Sequence, residues 1–386
     1  MSPSVLLRAL VMACTMATHA HATPPATVPV ADYTLQVGYL DHAAEGLYEI
    51  QYNTPGNLVM TAVIDRAQAD QDLGYVYAFD ADTLEKRWRL AMPHQAFALA
   101  QDRTHNKLFV SHGKNRALSI SRVDIATGTL EQTSARLPIQ PEDFKGNESL
   151  RHMVYVPQVN RLFVSYSATG ESSTESGRYH KLLVIDPDTL ELIGQVEGAY
   201  PRTGYALTYD DTEQRIYTGG SGYINVIDPT SLQVVRSLDM SQAEPQAANL
   251  LSLGIDHAHK RIFAAQNIFR SEGEQDGLYV FDLETGKQLA FVRSGRGSIN
   301  VAYNPARDEA YVANFREGTI RVISGKDYSV VRTFDIGPLP NELAYDAAQR
   351  RLYVGLKEVY SPRSSTGDFV EGAKERLLKI TLPSEQ

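Results

Sequence analysis

The chain has one cysteine, one tryptophan and no apolar run long enough to span a bilayer. The cysteine, Cys14, lies among the first residues, so a chain trimmed there carries no thiol. That excludes disulfides and thiol catalysis in the trimmed form. No Gly-x-Ser-x-Gly elbow and no Gly-x-Gly-x-x-Gly fingerprint occurs, which removes two common enzyme signatures. Helical three-and-four spacing is never sustained. The net charge of −9 argues against a general binder of nucleic acid or acidic membrane.

What the first residues do contain is an export pattern. Arg8 is the only charge before Asp32. Residues 9–17 form a short apolar stretch, and Ala20-His21-Ala22 fits a small-x-small cleavage site. The expectation is a signal peptide over 1–22, a Pro, Ala and Thr-rich linker over 23–32, and export to the periplasm. The alternative makes Cys14 a lipidation site, which Met12 fits poorly.

The remainder repeats. Residues 300–335 hold four short apolar runs, at 300–303, 310–313, 319–323 and 330–334. Asn304-Pro305, the stretch 314–318 and Ser324-Gly325 separate them, which reads as strands joined by tight turns. Aligned at the end of the first strand, the copies are anchored at Asn53, Asp102, Pro157, Asp210, Asp256, Asn304 and Asp346. Seven copies spaced 42 to 55 residues apart, with four strands each, predict an all-β, seven-bladed β-propeller built of WD40-like antiparallel meanders. Third strands end in Asp before a turn, as in Asp186-Pro187-Asp188-Thr189, and Ser324 takes that place in the sixth copy. A carboxylate there accepts from main-chain N–H groups two residues on. The strands are apolar on both faces, as blades sandwiched between blades must be. The last copy lacks a fourth strand, and the run 33–40 belongs to no copy. The predicted propeller over 33–386 is therefore closed by 33–40 completing the last blade. The blades are expected at 41–92, 93–137, 150–198, 202–240, 249–294, 298–336 and 340–382.

Tyr311-Val312-Ala313-Asn314, followed by Gly318-Thr319-Ile320-Arg321-Val322-Ile323, resembles the Tyr-Val-Thr-Asn (YVTN) repeat of a β-propeller family. The likeness runs from Asn304-Pro305 through the stretches 328–335 and 340–344. It is specific over the last two blades and pattern-level elsewhere. It departs at Ala313, where the motif has Thr. The resemblance implies seven blades, export, no established enzymatic cofactor and, as one reading, single-stranded DNA binding.

A meander puts second-to-third loops and blade-to-blade links on one face. The long connections fall there: 65–73, 167–180, 267–276, 357–374 and the link 138–151. Long loops in compact domains tend to carry function. The links are expected to ring the channel mouth with His94, Arg151, His152, Arg202, Asn249, Arg296 and Asn341. The three arginines suit carboxylate or phosphate unless each pairs with a neighbouring acid. Asp65, Asp70 and Asp72 beside Arg66, and Glu272, Glu274 and Asp276 beside Arg270, would form an acidic rim. That combination predicts a small anionic ligand or a protein partner, and it repels a long phosphate backbone. The tyrosines fall mostly on strands and read as blade packing, and Trp88 as cover for a blade edge. The expectation is a monomeric binding propeller with no cofactor, no metal and no catalytic residue. The rivals are single-stranded DNA binding and a propeller enzyme such as a lactonase or a dehydrogenase subunit. The enzyme reading would need Glu148 paired with His152. His257-Ala258-His259 is the one metal-like spacing, and no third ligand is evident for it.

Overall fold

A computed structural model describes residues 34–42, 45–65, 72–113, 118–140, 144–171, 176–268, 275–337, 339–357 and 374–382. The expected signal peptide and linker lie outside them. So do the segments 66–71, 269–274 and 358–373, including Arg66, Asp70, Arg270, Glu272 and Glu274.

Seven four-stranded antiparallel sheets form the protein. Each innermost strand touches the next around the ring, and the last touches the first. The seventh sheet joins Thr34–Tyr39 to Arg376–Thr381, with Val37 opposite Leu378. The ring is closed by the amino-terminal strand, as the missing fourth strand required.

The second and third strands are buried along almost their whole length. Leu58–Asp65 and Arg351–Leu356 each expose only one residue in part. Their apolar side chains cluster with those of the adjacent blade, for example Met60 and Val76 with Leu99 and Val110. Tyr77, Tyr166, Tyr217, Tyr223, Tyr279, Tyr311 and Tyr353 are fully buried. Each such ring stabilises the blade stack by roughly 1.5–3 kcal/mol relative to an exposed one. Trp88 reaches from blade 1 to blade 2, its indole N–H donating to the Ile125 carbonyl over 3.0 Å.

The turn chemistry is as the sequence predicts. Asp186 Oδ1 accepts from the main-chain N–H groups of Asp188 and Thr189, both at 2.9 Å. Ser324 Oγ accepts from Lys326 N at 3.1 Å in the sixth copy. Gly318 closes the turn 315–318 with φ +77°, a conformation that costs other residues a Cβ clash.

Blade 3 departs from expectation in two ways. Its first strand runs Lys145–Val156, so part of the 138–151 link is strand. The 167–180 insertion is not a loop: Arg161–Glu171 and Ser176–Ile185 pair continuously from Leu162↔Ile185 to Glu171↔Ser176. The Gly, Ser and Thr content suggested a coil, yet it suits a hairpin whose strands approach closely. A Cβ on Gly170 would come within 2.6 Å of the Gly146 Cα on the neighbouring strand. The strand end that aligns with the other anchors is Val156, one residue before Pro157, which begins a short 3-10 turn.

Candidate functional site

Every innermost strand carries a β-bulge at the same place. The register skips between Leu47 and Ile50 in blade 1, between Ala96 and Leu99 in blade 2, and between Leu150 and Met153 in blade 3. The same break recurs at Gly204/Ala206, Leu250/Ser252, Ser298/Asn300 and Pro340/Glu342. A bulge leaves one extra residue unpaired and re-aims its side chain. Here the extra residues turn into the central channel. Tyr48 and Glu49, Phe97, Arg151 and His152 do so from blades 1 to 3. Tyr205, Leu251, Ile299 and Asn341 follow from blades 4 to 7. Together with strand ends such as Asp65, Phe315 and Lys357, they border a cavity of about 910 Å³ on the face of the second-to-third connections.

The cavity has a guanidinium pole and a carboxyl pole. Blade 3 supplies Arg151 and, from its extended hairpin, Arg178. Both are exposed, and among the described residues neither has a carboxylate partner. The Arg151 guanidinium lies 6.0 Å from the Tyr205 ring, within cation–π range. The His180 ring packs edge-on to Tyr205 at 5.2 Å. Burial, together with the charge of Arg178 and Arg151, holds its pKa down. Blades 7 and 1 supply Glu342 and Glu49. Asn300 Nδ2 donates to Glu342 Oε2 at 2.6 Å, and Gln51 Nε2 to Glu49 Oε1 at 3.2 Å. Burial pushes the Glu342 carboxyl up to about 8, against the opposing pull of Lys357. Burial and then the charge of Glu342 raise Glu49 as well. Both side chains keep some accessible surface, but that surface faces the channel rather than bulk water. Lys357 Nζ sits 3.9 Å from the Tyr48 ring centre.

The seven residues expected at the mouth divide. Arg151, His152, Asn249 and Asn341 border the cavity, whereas His94, Arg202 and Arg296 do not. Counted from the strand end, Arg151 and Asn341 stand five residues back and His152 four, which are the bulge positions. His94, Arg202 and Arg296 stand eight back, in the links. His94 Nδ1 lies 2.9 Å from Asp72 Oδ2, and Arg202 donates to the Gly222 carbonyl at 3.4 Å. Arg296 is exposed and uses its main-chain N–H to bind Glu317. Glu49, Arg178, Glu342 and Lys357 escaped the sequence reading. Three of the four sit at strand positions, and counting back from each anchor would have found both glutamates.

Comparison with known proteins sets this site in context. No protein-family model matches the chain. The protein named "Uncharacterized protein YncE" in Salmonella typhi is 27% identical over 325 residues, covering 81% of this chain and 83% of that one. Its namesake in Escherichia coli strain K12 is 27% identical over 317 residues, with the same coverage. Both of these relatives are YncE proteins. The YncE likeness fits the YVTN pattern of blade 6 and spans 81% of the chain. Among solved structures, the β-propeller domain of Myceliophteria thermophila Cps50 (Swd1) superposes with a TM-score of 0.57. That match covers 91% of this chain and all of the domain at 11% identity, so it speaks for the fold alone.

The structure also places the other two constellations named from the sequence. Glu148 is held by Arg136 at 2.5 Å and by the Tyr166 hydroxyl at 2.8 Å. His152 is pushed down to about 4 by burial and by Arg151. His257 and His259 serve different carboxylates: His257 Nε2 lies 2.8 Å from Asp210, and His259 Nδ1 3.1 Å from Asp256. Asp210, Glu213 and His257 form one group close enough to hold a metal, and Asp256, His259 and Asp308 another; the Arg261 guanidinium already bridges the second.

Proposed function

We propose that this chain is an exported, non-catalytic binding propeller that takes a small ligand at the mouth of its central channel. One observation carries the reading: all seven innermost strands bulge so as to aim side chains into a single cavity. A cavity of about 910 Å³ lies within the ~300–1,000 Å³ typical of small-molecule sites. Arg151 and Arg178, which have no carboxylate partner among the described residues, are placed to take an anionic group. The acidic wall opposite argues against a long polyanion, and the net charge agrees. Export rests on the charge and apolar pattern of residues 1–22. No helix among the described residues is long and apolar enough to cross a membrane.

Native mass spectrometry of protein recovered from the periplasm tests both halves of the proposal. The expected chain begins at Thr23 and carries a small-molecule adduct that an Arg151→Ala, Arg178→Ala double variant lacks. An adduct retained in full by the double variant would place the ligand elsewhere. A chain still beginning at Met1 would remove the export assignment.

A further inference from the structure

The bulge residues differ around the ring in a directed way. Blade 3 offers Arg151, and its hairpin adds Arg178 on the same side. Glu342 stands on blade 7, three blades away, the largest separation a ring of seven permits. Glu49 is on blade 1, beside it. Between the poles the bulges are apolar or aromatic: Phe97 on one side, and Tyr205, Leu251 and Ile299 on the other. The arginines have no carboxylate partner among the described residues. The Lys357 ammonium acts on Glu342, and both border the cavity.

We infer that the channel mouth selects a small zwitterion, its carboxylate against Arg151 and Arg178, its ammonium against Glu342 and Glu49, and its apolar body between them. This rests on the ligand-site reading above and narrows it. The guanidinium fork matches a carboxylate in two-point geometry. On the other side, Asn300 and Gln51 each occupy one oxygen of a glutamate and fix its plane, leaving acceptor positions for a three-donor ammonium. An ammonium arriving there also relieves the repulsion between two largely buried carboxyls when both ionise. Neither a simple anion nor a simple cation satisfies both walls, so a molecule with one charge leaves the other pole unmatched. A free amino acid and a short peptide with free ends share this chemistry.

Isothermal titration of the mature protein decides the matter with five probes. These are leucine, the dipeptide Leu-Ala, the tripeptide Leu-Ala-Phe, its N-acetyl form and its C-terminal amide. The free tripeptide is expected to bind, and each cap to weaken it at least about tenfold. Arg151→Ala should abolish the penalty of the amide, and Glu342→Gln that of the acetyl group. Circular dichroism melts confirm that both variants fold. Leucine binding as tightly as the tripeptide assigns an amino acid; affinity rising with length assigns a peptide. Equal affinity for capped and free tripeptide overturns the inference. So does tight binding of the acetyl form alone, lost in Arg151→Ala, although that result leaves the cavity an anion site as proposed above. Absence of heat with all five probes overturns the zwitterion, while the adduct experiment still judges the site itself.

Discussion

The Asn341 side-chain amide donates to the main-chain carbonyl of Tyr48 over 2.7 Å, tying the seventh blade to the first at the rim of the channel. Asn341 is a bulge residue with 8% of its surface exposed, and the bond holds a neighbouring bulge in place. Asn341→Ala removes it without touching the closing strand. The expected loss is about 1 kcal/mol, because channel water can reach the freed carbonyl. A calorimetric midpoint lowered by roughly 1–2 °C would agree, given the size of the chain. An unchanged midpoint would mean that water replaces the amide at no cost.

The closing strand invites a stronger test. Leu40 is 1% exposed and its N–H donates to the Glu375 carbonyl at 3.1 Å. A chain beginning at residue 41 loses that burial and the ladder from Thr34↔Thr381 to Tyr39↔Arg376. The loss should be at least about 3 kcal/mol. The six other outer strands are bulged, for instance between Val226 and Ile227 opposite Val235, which discourages edge pairing. The strand Arg376–Thr381 pairs with Thr34–Tyr39 in unbroken register, so the truncated chain presents a straight edge. It should self-associate by light scattering, and a synthetic peptide of residues 33–40 should reverse this. A truncated chain as stable and monodisperse as the full one would refute closure as the stabilising device.

Much of this architecture is legible in the sequence because it depends on residue type. Turn aspartates, apolar second strands and a missing fourth strand are chemical facts of the chain. The bulges are not, since their positions hold Tyr, Phe, Arg, Leu, Ile and Asn, which share no chemistry. They are backbone events, visible only as a constant distance from the strand end. That is why Arg202 and Arg296, in the links, looked as good as Arg151. The hairpin of blade 3 was hidden for a different reason. Its glycines signal a turn by composition, but Gly146 and Gly170 are there to let two strands approach.

Arg261 makes a prediction about the blade 5–6 seam. It is 4% exposed, donates to Asp256 at 2.8 and 2.5 Å, and also reaches Asp308 and the Gly325 carbonyl in blade 6. Burial alone would raise Asp256, but Arg261, with the His259 main-chain N–H and the Tyr303 hydroxyl, holds the carboxyl below its usual range. Arg261→Met strands that carboxylate, which is 1% exposed, at a cost of about 3–5 kcal/mol. Adding Asp256→Asn should recover most of the loss. The wild-type contribution of Asp256 is present above its unfolded pKa and is lost as pH falls through the lower folded value. In Arg261→Met the folded value is the higher one, so mild acid should stabilise that variant. A denaturant midpoint in Arg261→Met that falls with pH as in wild type would contradict this account.

The acid pole of the channel sets an alkaline limit on stability. Glu342 is raised to about 8 in the folded chain, from an ordinary value of 4.5. A group raised in this way stabilises the folded state fully below its unfolded pKa and loses that contribution as pH climbs through the folded value. His112 and His152 act in the opposite direction. Burial lowers both to about 4, so their contribution is complete above 6.5 and is lost as pH falls toward 4. Between pH 6.5 and 8 the histidines are therefore silent and the carboxyls dominate. Wild-type stability should decline across that interval by about 1–2 kcal/mol, a figure reduced because the carboxyl keeps contact with channel water. Glu342→Gln keeps an acceptor for Asn300, removes the Glu342 titration and leaves Glu49 raised by burial without the added charge of Glu342, so its profile should be flatter. Urea denaturation at half-unit steps of pH reads the difference directly. Parallel profiles for the two proteins would show that Glu342 ionises without strain, and that the channel is wetter than its lining implies.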